Sequence, residues 1–405
     1  MRKLPLLPAL MALLLLSSCN FLFGTREDET VDDVFRQGAI DPNVSQQVVG
    51  YVPILPIWGG FANPTDVYVG YDELVYVVDA AGLHILDLKG TRQALLPFTG
   101  AKKVVQDRRL YTYVLGRIDT LINGESWNLA AVYVMQFTGG GNPVMIDTII
   151  HPFNDLTRNN TNFRGNADQL VEFTGLTPTL DNSFYLARRG PTNSVLSTAA
   201  PDNAILIYRN NLTNNGFASG LNAVSSSLRS VLDVGAMAGF LAPPQLVFGM
   251  SSSRDFLVLQ QRANAEYKAL WIREQTSPEA GTVYLENQAM LNFDTSKASR
   301  FMYESFRFGK PADICVAPDE TNYIFVIDQE KDSLFQFTSL GFEGVNPPPN
   351  SGLTKQVIAS FGGRGGGPFQ FNQPQGVAYF RRVVYVADTG NGRVVRYKLS
   401  TDLER

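Results

Sequence analysis

The chain has 405 residues, with 34 basic against 38 acidic side chains and a formal net charge of −4 at pH 7. No basic block interrupts this mild acidity, which argues against nucleic acid as a partner. Leucine heptads and long amphipathic helical patterns are absent, so coiled-coil and helical-bundle classes are set aside in favour of one large all-β domain.

The first element in chain order is a leader, MRKLPLLPALMALLLLSSC. Arg2 and Lys3 give a positive start, and Leu4 to Leu16 form an apolar run of signal-peptide length, short for a bilayer span. Leu16-Ser17-Ser18-Cys19 resembles the lipobox of bacterial lipoproteins. That resemblance implies cleavage after residue 18, a diacylglycerol on the Cys19 thiol and an acylated new amine. Acyl chains contribute about 0.8 kcal/mol per buried CH₂, so two or three of them hold a protein on a membrane almost permanently. Asn20, in place of Asp, favours the outer membrane by resemblance to lipoprotein sorting; periplasmic and cell-surface orientations both stay open. Removing Arg2 and Lys3 leaves 32 basic residues and a net charge of −6.

Residues 19–45 read as a flexible tether, polar and acidic around Glu27, Asp28, Glu29, Asp32 and Asp33. From residue 46 to 405 the chain reads as one domain. With Cys19 lipidated, Cys315 has no intrachain partner, so a hydrophobic core must provide the stability.

That domain is built of repeats. Asn63-Pro64-Thr65-Asp66-Val67 precedes Leu74–Asp79 and Leu83–Leu88. Lys310-Pro311-Ala312-Asp313-Ile314 precedes Tyr323–Asp328 and Ser333–Phe337. The third unit is Phe361–Leu399, FGGRGGGPFQFNQPQGVAYFRRVVYVADTGNGRVVRYKL. In each, a proline opens an inner strand, a β-branched and aromatic run forms a second, and Asp79, Asp328 or Asp388 ends it before a turn and a third strand. These aspartates suit the turn beyond as acceptors of backbone N–H groups. This order resembles the NHL repeat, which implies a β-propeller. Weaker units lie between: Lys103–Leu115 with Ala130–Phe137, its Asp119–Asn128 excursion an insertion; Leu180–Ala187 with Ala204–Tyr208; and Leu246–Gln260 with Tyr267–Arg273. The expected ring has six blades, with the long, poorly patterned Asn154–Pro244 stretch leaving room for a seventh. Val48–Trp58, a spare strand ahead of the first unit, is expected to close the last blade, since no outer strand follows Tyr397-Lys398-Leu399 there.

Catalytic signatures are sparse. His84 and His151 stand alone with no metal-ligand spacing, and no GxSxG elbow or P-loop occurs. Zinc-dependent lyases of related propellers use several histidines, which this chain lacks. Calcium needs only oxygen ligands, so Asp79, Asp313, Asp328 and Asp388 are the candidates for a calcium-dependent hydrolase or lyase. The Gly362–Gly367 run, with no Lys-Ser/Thr behind it, reads as a flexible inter-blade turn, Cys315 as a small core residue and Pro347-Pro348-Pro349 as a stiff link. Insertions at Gly116–Asn128, Asn154–Asn166 and Arg188–Asn203 point to one interaction face. They and a neighbouring turn carry Trp127, Arg188, Arg189 and Arg262, residue types favoured at binding hot spots. The function expected is a non-enzymatic binding or scaffold module for a protein or glycan, without a cofactor. The calcium enzyme and a purely structural envelope component are the alternatives.

Overall fold

The structure is a computed structural model. It describes residues 49–403 except 139–141, 158–162, 195–199, 244–251, 280, 292–298, 348–351 and 353. The leader 1–18, Cys19 and the tether 19–45 therefore lie outside the described residues, as do Leu246, Pro348 and Pro349.

Strand β1 (Tyr51–Gly59) comes first, and six four-stranded antiparallel sheets follow around a ring. Blade 1 holds β2 (Asp66–Val69), β3 (Val75–Asp79), β4 (Gly82–Leu86) and β5 (Arg92–Leu96), and blade 2 holds β6 (Lys103–Gln106), β7 (Tyr111–Ile122), β8 (Glu125–Thr138) and β9 (Asn142–Ile150). A one-turn helix, α1 (Asn166–Gln169), precedes blade 3, made of β10 (Glu172–Pro178), β11 (Phe184–Arg189), β12 (Ala204–Tyr208) and β13 (Asn214–Phe217). Blade 4 is β14 (Val234–Gly239), β15 (Phe256–Gln260), β16 (Ala269–Ser277) and β17 (Gly281–Glu286). Blade 5 is β18 (Pro311–Val316), β19 (Ile324–Asp328), β20 (Ser333–Phe337) and β21 (Phe361–Gly362). Blade 6 contains β22 (Gly376–Phe380), β23 (Val383–Asp388) and β24 (Arg393–Leu399), with β1 as its outer strand. The ring thus has six blades, and the first strand closes the last sheet as the spare-strand reading expects.

Closure is specific. Tyr51 pairs with Leu399 and Trp58 with Val394 across a bulge between Ile54 and Trp58. Ser400 N–H donates to the Gly50 carbonyl at 2.8 Å. The guanidinium of Arg396 lies 4.2 Å from the Trp58 ring centroid, and burial pushes it down to about 10.

The core lies between blades, because each sheet buries both faces against its neighbours. Tyr113 of blade 2 packs on Phe184 of blade 3 at 5.2 Å, and Phe325 of blade 5 stacks on Tyr379 of blade 6 at 5.4 Å. Such burial explains the nearly continuous apolar runs of β3, β15, β19 and β23.

The three clear units share a Phe-x-x-Pro entry at Phe61–Pro64, Phe308–Pro311 and Phe371–Pro374. The aspartate closing the second strand reaches back to it. Asp79 accepts from Ala62 N–H at 2.7 Å, Asp328 from Gly309 N–H at 2.7 Å, and Asp388 from Asn372 N–H at 2.7 Å. Asp79 and Asp328 also accept from the turn beyond, through Ala81 and Glu330 N–H, whereas Asp388 takes the side chains of Asn391 and Arg393. Each aspartate therefore ties a blade's entry to its second turn. The Gly362–Gly367 turn is pinned as well: Arg393 donates to the carbonyls of Gly366 and Gly367 at 2.7 and 2.9 Å.

Three weak units differ from their sequence reading. The excursion at Asp119–Asn128 is no loop: β7 and β8 continue through it in register to an Asn123-Gly124 turn, both residues at positive φ. Asn-Gly favours this hairpin turn because its twist matches the flanking strands. Blade 3 starts earlier, at Glu172, with Leu180 in the turn that follows. The inner strand of blade 4 is Val234–Gly239, VGAMAG, upstream of Leu246. A Cβ on Gly175 would come 2.8 Å from Met237 N, so close approach of inner strands, and not β propensity, selects small residues here.

Candidate functional site

The inner strands β2, β6, β10, β14, β18 and β22 line a central recess of about 710 Å³, open solvent included. Its walls are largely apolar, with Val67, Val69, Leu176, Met237, Ile314 and Val316 among them. Charge enters at one level only. Lys103 Nζ of β6 lies 2.7 Å from Asp313 Oδ1 of blade 5 and 3.2 Å from Asp66 Oδ1 of blade 1. The remaining oxygens are fixed by the neighbouring blades: Val104 N–H donates to Asp66 Oδ2 at 2.8 Å and Val377 N–H to Asp313 Oδ2 at 2.9 Å. Asp66 and Asp313 occupy equivalent stations, each two residues after the entry proline. Burial, and then the like charge of Asp313, push Asp66 up to about 7 against the pull of Lys103. The two carboxylates in turn hold Lys103 above its ordinary value despite burial.

The four calcium candidates do not come together. Asp79, Asp328 and Asp388 are committed to blade entries, and only Asp313 faces the channel. Among the described residues no three His, Cys, Asp or Glu side chains are grouped to hold a metal. At the charged level an ammonium stands between the two carboxylates, where a cation needing six to eight oxygen ligands would sit. The residues present do not fit calcium.

Around this level, polar contacts run from blade to blade. Lys102 bonds Glu172 at 2.6 Å, Glu172 bonds Arg189 Nε at 2.8 Å, and Arg189 donates to Gln261 at 2.8 Å. Gln261 donates onward to the Pro311 carbonyl at 3.2 Å. Burial alone would raise the Glu172 carboxyl, but Arg189 and Lys102 outweigh it and hold it at about 2, against an ordinary 4.5. Since the folded value is depressed, its stabilisation is complete above pH 4.5 and disappears as pH falls through about 2. Glu172→Gln is expected to cost on the order of 1–2 kcal/mol at pH 7, discounted for a partly exposed pair. Urea denaturation should show the cost fading between pH 4.5 and 2; a pH-independent difference would contradict the contact.

The four residues expected on binding loops have different fates. Arg188 is fully buried at 0% exposure. It pairs with Asp155 and donates to the Asp202 carbonyl at 3.0 Å and the Pro201 carbonyl at 2.6 Å. It is a fastener between blade 3 and the 151–157 segment, and burial lowers it to about 10. His151 adjoins the same cluster, with Nε2 at 3.1 Å from Asp168 and Nδ1 at 3.5 Å from Asp155. Arg189 belongs to the polar ring described above. Arg262 makes a two-pronged contact with Asp233 at 2.9 and 3.0 Å. Trp127 is half-buried in the blade 2 ribbon and meets Phe163 edge-on at 4.7 Å. His84 is buried with Nε2 at 2.8 Å from Asp79. Cys315, expected as a small core residue, packs half-buried against the core between blades 5 and 6 and also borders the channel; burial, then Asp313, push its thiol well up.

Apolar surface is left uncovered on blade 2 and beside it. Leu121, near the ribbon tip, is 76% exposed. Val144, Met145 and Ile146 on outer strand β9 are exposed too, as are Phe153, Leu156 and Leu170 in the segment joining blades 2 and 3. Among the described residues no helix is long and apolar enough to cross a membrane.

Residues 371–397 match the NHL repeat. A comparison with curated proteins finds no match. Among solved structures, the chain is similar to an auxiliary nutrient binding protein from Bacteroides thetaiotaomicron, with 10% identity over 84% of this chain and 70% of that one, TM-score 0.50. It is also similar to virginiamycin B lyase from Staphylococcus aureus, with 9% identity over 87% and 99%, TM-score 0.41. A third is the calcium-binding protein regucalcin from Agrobacterium tumefaciens, with 8% identity over 85% and 95%, TM-score 0.45. At these identities the likeness is one of fold alone.

Proposed function

We propose that this NHL-repeat β-propeller is a non-enzymatic binding module, held by lipid on Cys19 at the outer membrane, whose blade 2 ribbon engages a protein or glycan. The observation that carries the reading is the ribbon itself. β7 and β8 run to 12 and 14 residues where the matching strands of blade 1 have five. Beyond its base, where Arg117 holds the Gln169 and Val171 carbonyls and Trp127 meets Phe163, the ribbon runs on into exposed residues around the Asn123-Gly124 turn, Leu121 among them. Adjoining apolar residues on β9 and in the 153–170 segment widen the surface, and such patches on a monomer mark interaction sites.

The test shortens the ribbon without changing its register. Removing 121–122 and 125–126 joins Thr120 to Trp127 through Asn123-Gly124, the two-residue turn already present, and keeps the same pair type beside the turn. The purified, detergent-solubilised chain is expected to melt within a few degrees of the native protein but to lose its co-purifying envelope protein or its signal on a glycan array. Full retention of both would sink the ribbon as the binding element. Labelling with a radioactive fatty acid, lost in Cys19→Ser, tests the anchor separately.

A further inference from the structure

We propose that the central channel is a binding site for a small organic cation, an ammonium group with a short apolar body, which docks against Asp66 and Asp313 beside Lys103. This site is independent of the ribbon surface, and neither reading needs the other.

The argument starts from charge. Two carboxylates share one ammonium, and that ammonium is itself saturated by Asp66, Asp313 and the Gln375 carbonyl at 3.4 Å. One negative charge is left uncompensated in surroundings where Lys103 and Asp313 are only 12% and 10% exposed. A low-dielectric site of this kind favours one further positive charge over an isolated carboxylate. A proton can supply it in part, since burial first and then Asp313 push Asp66 up to about 7. A ligand cation supplies it without protonating the carboxylate. Ligand anions face the two carboxylates and find Lys103, the cation among the described residues of the lining, already engaged.

The walls set the rest of the ligand. Beyond the charged level the lining is valine, leucine, isoleucine, methionine, alanine, proline and glycine, with Tyr68, Tyr379, Thr177 and Cys315 as the polar points. Apolar walls with a few fixed polar groups are the usual build of small-ligand sites. The station that holds Asp66 in blade 1 and Asp313 in blade 5 is Gly376 in blade 6, where a Cβ would fall 2.7 Å from the Asp66 backbone, so the room for a ligand is the recess between the inner strands itself. The other groups facing Asp66 that titrate or carry charge are Lys103 of β6 and Asp313 and Cys315 of β18. At the corresponding level β10, β14 and β22 present Gly175, Ala236 and Gly376.

The probes are n-butylamine, n-butanol and butanoate, equal in size and different in charge, titrated calorimetrically into the detergent-solubilised full chain. At pH 8 butylamine is expected to bind at least tenfold more tightly than butanol, with butanoate weakest. At pH 5.5, where Asp66 holds its proton, the amine should lose most of that advantage while butanol is unchanged. Asp66→Asn and Asp313→Asn should each remove the preference, and Ala238→Phe, which fills the channel, should remove binding of amine and alcohol alike. Far-UV circular dichroism establishes that each variant is folded, and two separate charge variants guard against one failing. Equal affinity for amine and alcohol at pH 8, an amine preference untouched by Ala238→Phe, or no binding of any probe would each overturn the proposal.

Discussion

A chain lacking residues 49–59 is expected to lose its cooperative folding transition. Those residues bring Tyr51, Val52, Ile54 and Trp58 into the core, and full burial of such side chains contributes about 1.5–3 kcal/mol each. The sum, about 6–12 kcal/mol, rivals the whole stability of an ordinary domain, about 5–15 kcal/mol. The deletion also bares the edge of β24, whose N–H and C=O groups now pair with β1, and an exposed edge recruits other chains. Thermal melting by circular dichroism and size-exclusion chromatography should show an early, broad transition and aggregation. A sharp transition within two or three degrees of the native one would mean that blade 6 does not need its borrowed strand. Gly90→Val tests the same joint from outside. Gly90 sits at φ +90°, and a Cβ there would fall 2.3 Å from the Trp58 ring, so the substitution collides with backbone preference and with tryptophan together.

Arg188→Met is expected to destabilise the protein by about 3 kcal/mol, because it removes the guanidinium from buried Asp155 and leaves that carboxylate to Thr157 and His151. Asp155→Leu alone should cost a similar amount by stranding the guanidinium. The double variant should recover much of the loss, since buried ion pairs are often replaced by apolar groups of similar size at little cost. Urea denaturation of the four proteins completes the cycle. Additive losses in the double variant would show that the two groups do not depend on each other, contrary to their contact. The same cycle decides whether Arg188 acts as a fastener or as a binding residue: a variant that stays stable yet loses a partner would return it to the interaction face.

Arg188 also shows where reading the chain alone goes astray. An arginine pair after an apolar strand, followed by Gly-Pro-Thr-Asn, has the composition of an exposed loop. What buries Arg188 is the 151–157 segment, more than thirty positions earlier, which supplies Asp155. Arg189, its immediate neighbour, points instead to Glu172 and Gln261, as alternation along a strand requires. The blade 2 excursion was more tractable, since Asn123-Gly124 between residues that alternate is a hairpin signal in its own right. VGAMAG carries no such signal, because its small residues answer to the closeness of Gly175 and its neighbours across the ring.

The Phe-x-x-Pro entries, the aspartates that end second strands and the spare strand ahead of the first unit are local patterns. Each fixes a turn, a strand end or an unpaired edge within one blade's length of chain, and together they determined three stations and the closure of the ring, the other blades being marked only by weaker patterns. The charged level in the channel could not be read in that way. Lys103 meets Asp313 from 210 positions away, a distance on which no periodicity bears, and the sheets must first be wound into a ring before the two approach within 2.7 Å. Burial then follows from that ring, and with it the displaced proton equilibrium of Asp66. Repeats specify blades because their contacts are short in sequence; the middle of the ring is set by all six at once.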